Sequence, residues 1–129
     1  MRLFLAMAAA VVGSIALSAC NVSPRNDPPV WQSTVQRSLN AAAVCVVAAL
    51  DKEFHSDLPA SVMSSITHSI QIKVPERVFE VLPQQQQSGG EMYFVRLTAV
   101  SPTATNIELH SIKIGPWKNQ VQPAVMSCA

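Results

Sequence analysis

The sequence predicts an α+β domain of two layers: one N-terminal helix packed on a four-stranded, mainly antiparallel sheet, in the order α-β-β-β-β. Three observations predict it. Apolar residues recur at near-helical steps through residues 31–54, apolar/polar alternation begins at Ser65, and three further alternating runs follow between turn-forming residues. Short hairpin-like connections imply antiparallel pairing. A helix with an apolar face laid over one side of such a sheet is a stable two-layer arrangement. At 129 residues the chain is long enough for one domain.

Each element follows from its own pattern. Trp31, Val35, Leu39, Ala42, Val46, Ala49 and Phe54 are spaced by three to five residues, which predicts a helix over residues 31–54. Its centre, Ala41 to Leu50, contains no Pro, Gly or charge, so it should pack on more than one side. That run is too short to span a bilayer, which takes about 20 residues. Pro59 breaks the pattern, and residues 55–64 read as a loop. In Ser65–Val74, Ile66, Ile70, Ile72 and Val74 share one parity, while Thr67, Ser69, Gln71 and Lys73 take the other. Alternation with β-branched residues marks a half-buried strand. His68 falls on the apolar parity, where a hydrogen-bonded residue or a strand end is the simpler reading than a ligand.

Pro75-Glu76 is turn material, and Arg77–Leu82 reads as a second strand with Phe79 and Val81 inward. The stretch PQQQQSGG, residues 83–90, reads as a solvated hairpin connection. Residues 91–100 form a third strand with Tyr93, Val95, Leu97 and Ala99 inward. Met92 and Phe94 lie on the opposite parity, so that face should be partly covered as well. After Ser101-Pro102-Thr103, residues 105–114 read as a fourth strand with Ile107 and Leu109 inward and Glu108 and His110 outward. Ile112 and Ile114 change parity, which predicts a bulge or bend. Trp117 to Cys128 is ambiguous; a short C-terminal helix near Ala124–Cys128 would return the last Cys to the first helix.

The amino end has a different character. Residues 3–17 are apolar except for Gly13 and Ser14, and Arg2 precedes them. This has the length and charge of a secretory signal rather than of a membrane span. Leu17-Ser18-Ala19-Cys20 follows, and this tetrad resembles the lipobox of bacterial lipoprotein precursors. The resemblance covers about twenty residues and implies a signal peptide over 1–19, cleavage before Cys20 and acylation of Cys20. One acyl chain binds a bilayer only marginally, whereas several make attachment effectively permanent. Asn21 is not the Asp that retains enterobacterial lipoproteins in the inner membrane, which implies the outer membrane with the domain facing the periplasm. Residues 20–30, with three prolines, then read as a lipidated tether, and 31–129 as a single domain. With its early helical Cys and terminal Cys, the mature domain looks like the small uncharacterised outer-membrane lipoproteins of proteobacteria.

Once lipid claims Cys20, Cys45 and Cys128 remain. In an exported, oxidising compartment the expectation is a Cys45–Cys128 disulfide. Free buried thiols, or a catalytic or metal-binding thiol near a His, are the other readings.

Little chemistry is written in the residues. There is no CxxC, HExxH, P-loop, dinucleotide fingerprint or GxSxG. Asp51, Glu53, His55 and Asp57 gather residue types that bind zinc-like cations or move protons, but their spacing splays them around a helix end. No catalytic, metal or cofactor residue is therefore assigned. Without Arg2 the basic and acidic side chains balance, and no basic run occurs, which argues against a nucleic-acid partner. The expected partners are the bilayer, through acylated Cys20, and an envelope protein or peptidoglycan. The expected role is a non-enzymatic binding or accessory module. A structural lipoprotein without a ligand, or a hydrolase using His55, His68 or His110, are the alternatives.

Overall fold

A computed structural model describes residues 23–84, 91–113 and 117–129 of the chain. The signal-type segment, Cys20, most of the glutamine-rich connection and the expected parity change at Ile114 lie outside the described residues. The fold is α+β, as the sequence predicts, with one sheet of five strands rather than four. The strands are β1 (Trp31–Val35), β2 (His68–Val74), β3 (Val78–Pro83), β4 (Tyr93–Ser101) and β5 (Ala104–Ser111). The helices are α1 (Leu39–Glu53) and α2 (Trp117–Met126). The sheet order is β1-β5-β4-β3-β2, and every pairing is antiparallel.

The extra strand corrects the N-terminal reading. Trp31 and Val35 sit four residues apart, and four is a multiple of both two and nearly 3.6. The spacing therefore fits a strand as well as a helix. Tertiary pairing decides: Trp31 to Val35 lie opposite Leu109 to Thr105 of β5. Gln32 and Thr34 are exposed and Val35 is buried, which is strand alternation. The helix begins only after Ser38, whose hydroxyl accepts a hydrogen bond from the Ala41 N–H at 3.3 Å. Such a cap satisfies one of the otherwise orphaned amides of the first turn.

α2 is longer than the sequence suggests. Pro123 lies inside it, where it removes an amide donor, and this hides the helical pattern. Val121, Val125 and Cys128 are nonetheless all buried at i, i+4 and i+7.

The core fills the space between the sheet's inner face and the two helices. Leu39, Ala42, Ala43, Val46 and Leu50 of α1 pack against Val81, Val95, Leu97, Ile107 and Leu109. Across α1 from that contact, the sulfurs of Cys45 and Cys128 lie at disulfide distance, with Cα atoms 5.9 Å apart. This joins α1 to the end of α2. The outer face carries the other parity: Gln32, Glu108, Arg96, Glu80 and Gln71 stand opposite one another across the five strands.

Ser23–Val30 does not hang free as a tether would. Pro24–Asn26 forms a single 3-10 turn capped by Ser23, Pro24 is buried, and the Val30 N–H donates to the Leu109 carbonyl at 2.8 Å. The segment is part of the folded domain.

Closing a loop between positions 83 residues apart is worth on the order of 4–5 kcal/mol in the chain-entropy model, and measured values are often lower. Replacing Cys45 and Cys128 together by Ala should lower the unfolding free energy by about 2–4 kcal/mol in urea titrations. An unchanged midpoint, or two free thiols in the unfolded wild-type protein, would contradict the crosslink.

Candidate functional site

Two polar clusters and one apolar row stand out from the fold. The first cluster is buried at the start of β2. His68 is 4% exposed. Its backbone N–H and its Nδ1 both lie 2.8 Å from Asp51 Oδ1, on the last turns of α1. A carboxylate only accepts, so Nδ1 carries the proton. Nε2 then accepts from the Tyr93 hydroxyl at 2.7 Å. Phe54 and Trp117 pack their rings 5.8 Å and 6.2 Å away within the same group, Phe54 against both His68 and Tyr93. Burial pushes the His68 imidazole below its usual pKa, against the opposing pull of Asp51. Burial raises the Tyr93 phenol well above its usual range, and the Asp51 charge adds to this. Both groups are therefore neutral at pH 7. The Asp-His-Tyr chain ties α1, β2 and β4 together, and the His68 ring and Tyr93 are shielded from solvent. This fits the expectation of a hydrogen-bonded His at a strand end.

The second cluster lies on the outer face. Glu80 has a side chain only 2% exposed. It accepts from Arg25 through Nη1 at 3.2 Å and Nη2 at 3.0 Å, and from Arg96 through Nε at 3.1 Å and Nη2 at 3.0 Å. Lys73 Nζ stands 3.6 Å away. Burial alone would raise the Glu80 pKa, but the hydrogen bonds from Arg25 and Arg96 outweigh it and hold the carboxyl below its usual value. Arg25 also bonds Glu91, at 2.8 Å, and its guanidinium lies 4.2 Å above the Phe94 ring. Phe94 in turn stacks on His110 at 4.6 Å with the rings nearly parallel. Among the described residues neither ring nitrogen of His110 has a hydrogen-bond partner.

The sequence-level candidates separate in space. Asp51 turns to His68, while His55 pairs with Asp57 at 2.9 Å in solvent. Glu53 and His55 border an open cleft of about 420 Å³ with Met63, Ser64 and Gln120. The DKEFHSD stretch thus does not converge. Arg25, read from sequence as part of a tether, is instead the hub of the outer cluster. Its partners Glu80 and Glu91 are 55 and 66 residues away, so no local pattern could have linked them.

The apolar row is the most unusual surface. Ile70 and Ile72 project from β2 on the core side of the sheet, opposite Val81 and Phe79, and remain 39% and 63% exposed; the register shift after Ile72 places Val74 opposite Val78, on the outer face. Among the described residues β2 is an edge strand paired with β3 alone. Val44 of α1 is 62% exposed and lies two helical turns before Asp51, on the side of α1 that meets β2. Val44, Ile70 and Ile72 are thus exposed apolar groups on the helix side of the sheet near its β2 edge. α1 lies over β2 to β5, whereas α2 docks chiefly on α1 and β5. The Cys45–Cys128 link keeps α2 beside α1, so the part of β2 beyond His68 is the less covered. The sequence shows the row; its exposure depends on where α2 docks.

A comparison with protein-family models found no match, and a comparison with curated proteins found none either.

The pKa directions fix how acid should act. His68 is depressed, so its contribution is complete above about pH 6.5 and is lost as pH falls below that value, when the unfolded chain takes the proton first. Glu80 is also depressed, so its contribution is lost below about pH 4.3. Urea midpoints measured from pH 8 to pH 3 should fall in two stages. His68→Gln should remove the upper stage and Glu80→Gln the lower; a single stage shared by both variants would contradict the assignment. Tyr93→Phe, which leaves Nε2 buried and unpaired, should cost about 1–3 kcal/mol in the same titration at pH 8.

Proposed function

We propose that this chain is a lipid-anchored protein of the bacterial envelope, held at the outer membrane through Cys20 and facing the periplasm. Its domain serves as a non-enzymatic docking module for a protein segment in extended conformation. The observation that carries the docking reading is the exposed apolar surface of Ile70, Ile72 and Val44 beside β2, an edge strand among the described residues. An edge strand offers main-chain donors and acceptors to an incoming strand, and a row of apolar side chains at two-residue spacing takes every second residue of that strand. An exposed row of this kind is a liability in a monomer, because it also templates aggregation. A partner that covers it removes the liability. The signal-type segment and the tetrad Leu17-Ser18-Ala19-Cys20 support the anchor, and the Cys45/Cys128 pair suits an oxidising compartment.

The two halves are tested separately. For the anchor, cells fed a fatty-acid analogue should incorporate it into the wild-type protein and not into Cys20→Ser; label retained by the variant would contradict it. For the docking surface, a photo-crosslinking residue at Ile72 should give one discrete adduct in intact cells, while the same residue at Thr34 should not. Ile70→Lys in the Ile72 background should abolish the adduct without lowering the urea midpoint. Equal crosslinking from both positions would contradict a docking surface at β2.

A further inference from the structure

The docked N-terminal segment has a geometric consequence for how the domain is held. It rests on the proposed acylation of Cys20. Arg25 is pinned to the outer face by Glu80, Glu91 and the Phe94 ring, and Pro24 beside it is buried. The path of the chain at Ser23 is thereby fixed relative to the sheet. Cys20 lies three residues before Ser23, so its Cα is at most about 11 Å away. The helix layer lies on the other side of the sheet, and its far surface is on the order of 15–20 Å further from Ser23. An acyl chain rooted within that short reach cannot enter a bilayer lying against the helices without crossing the domain.

We propose that the outer face of the sheet is a membrane-contact surface that lies on the headgroups of zwitterionic phospholipid around the protein's own anchor. The chemistry of the face fits a headgroup layer rather than an acyl layer. Arg25, Lys73 and Arg96 are interleaved with Glu80, Glu91 and Glu108, and the side chains of Arg25, Lys73 and Arg96 are 36%, 43% and 35% exposed. Cations meet headgroup phosphates, and the partly exposed Glu91 and Glu108 meet ammonium groups. No single sign dominates, so attraction to anionic lipid is not what orients the domain; the short docked lead is. Ile70, Ile72 and Val44 lie on the helix side of the sheet. This orientation turns them away from the membrane, toward the envelope space where a partner approaches.

The test uses the lipidated full-length mature protein in nanodiscs of phosphatidylethanolamine and phosphatidylcholine, doped with a lipid that carries gadolinium on its headgroup. Methyl groups of Thr34 and Thr98 on the outer face should relax several-fold faster than those of Val44 and Met126 on the helix side. Inserting a flexible Gly/Ser linker of about twelve residues between Val22 and Ser23 should remove that difference while leaving the fold intact. Mass spectrometry of the same sample reports the acyl groups on Cys20. Acyl groups present with equal relaxation on both faces, or with faster relaxation on the helix side, overturn the orientation and leave the anchor standing. Cys20 recovered without acyl groups overturns the anchor and the orientation together.

Discussion

α2 docks on α1 and β5 rather than over β2, and the arrangement of the molecule follows from that placement. α1 lies over the middle of the sheet, with Ala42, Ala43, Val46 and Leu50 buried against β3, β4 and β5. The Cys45/Cys128 contact holds α2 beside it, where Val121 and Val125 complete the core. On the inner face of β2 beyond His68, Ile70 is then 39% and Ile72 63% exposed. Ile70 and Ile72 are the large apolar residues this leaves exposed on that face of β2.

The two polar clusters act at the boundaries of that arrangement. Asp51, His68 and Tyr93 close the end of that surface where β2 meets α1, and they fix α1 relative to the sheet through three short hydrogen bonds. A buried carboxylate on a sheet face is costly unless it is paired and fully hydrogen-bonded. Glu80 meets that condition through Arg96 on the neighbouring strand together with Arg25, which arrives from the far end of the sequence. The ion cluster is thus what holds the N-terminal segment to the domain, and its value is positional more than energetic.

How much of this was legible in sequence depended on how local each signal was. The alternation of HSIQIKV, and of Tyr93 to Ala99, is carried by consecutive residues and reads correctly as strand. The cover over Phe94 was also foreseeable from its parity, though not its agents, Arg25 and His110. Trp31–Val35 misled because a four-residue step satisfies both periods, and only β5 pairing separates them. Pro123 concealed α2. Arg25 carried no local signal at all, since its partners lie across the fold. The candidate surface was half legible: Ile70, Ile72 and Val74 announce one apolar face, but the bulge after Ile72 turns Val74 to the other, and exposure is a property of what fails to pack there.

The proposed role therefore rests on the exposed inner face of β2 being occupied in the envelope. Hydrogen–deuterium exchange separates this from an idle surface. The amides of His68–Val74 should exchange markedly more slowly in isolated native membranes than in the purified lipidated protein in nanodiscs, while those of β5 should exchange at the same rate in both. Equal exchange of the β2 amides in the two preparations would contradict a docking role for this strand.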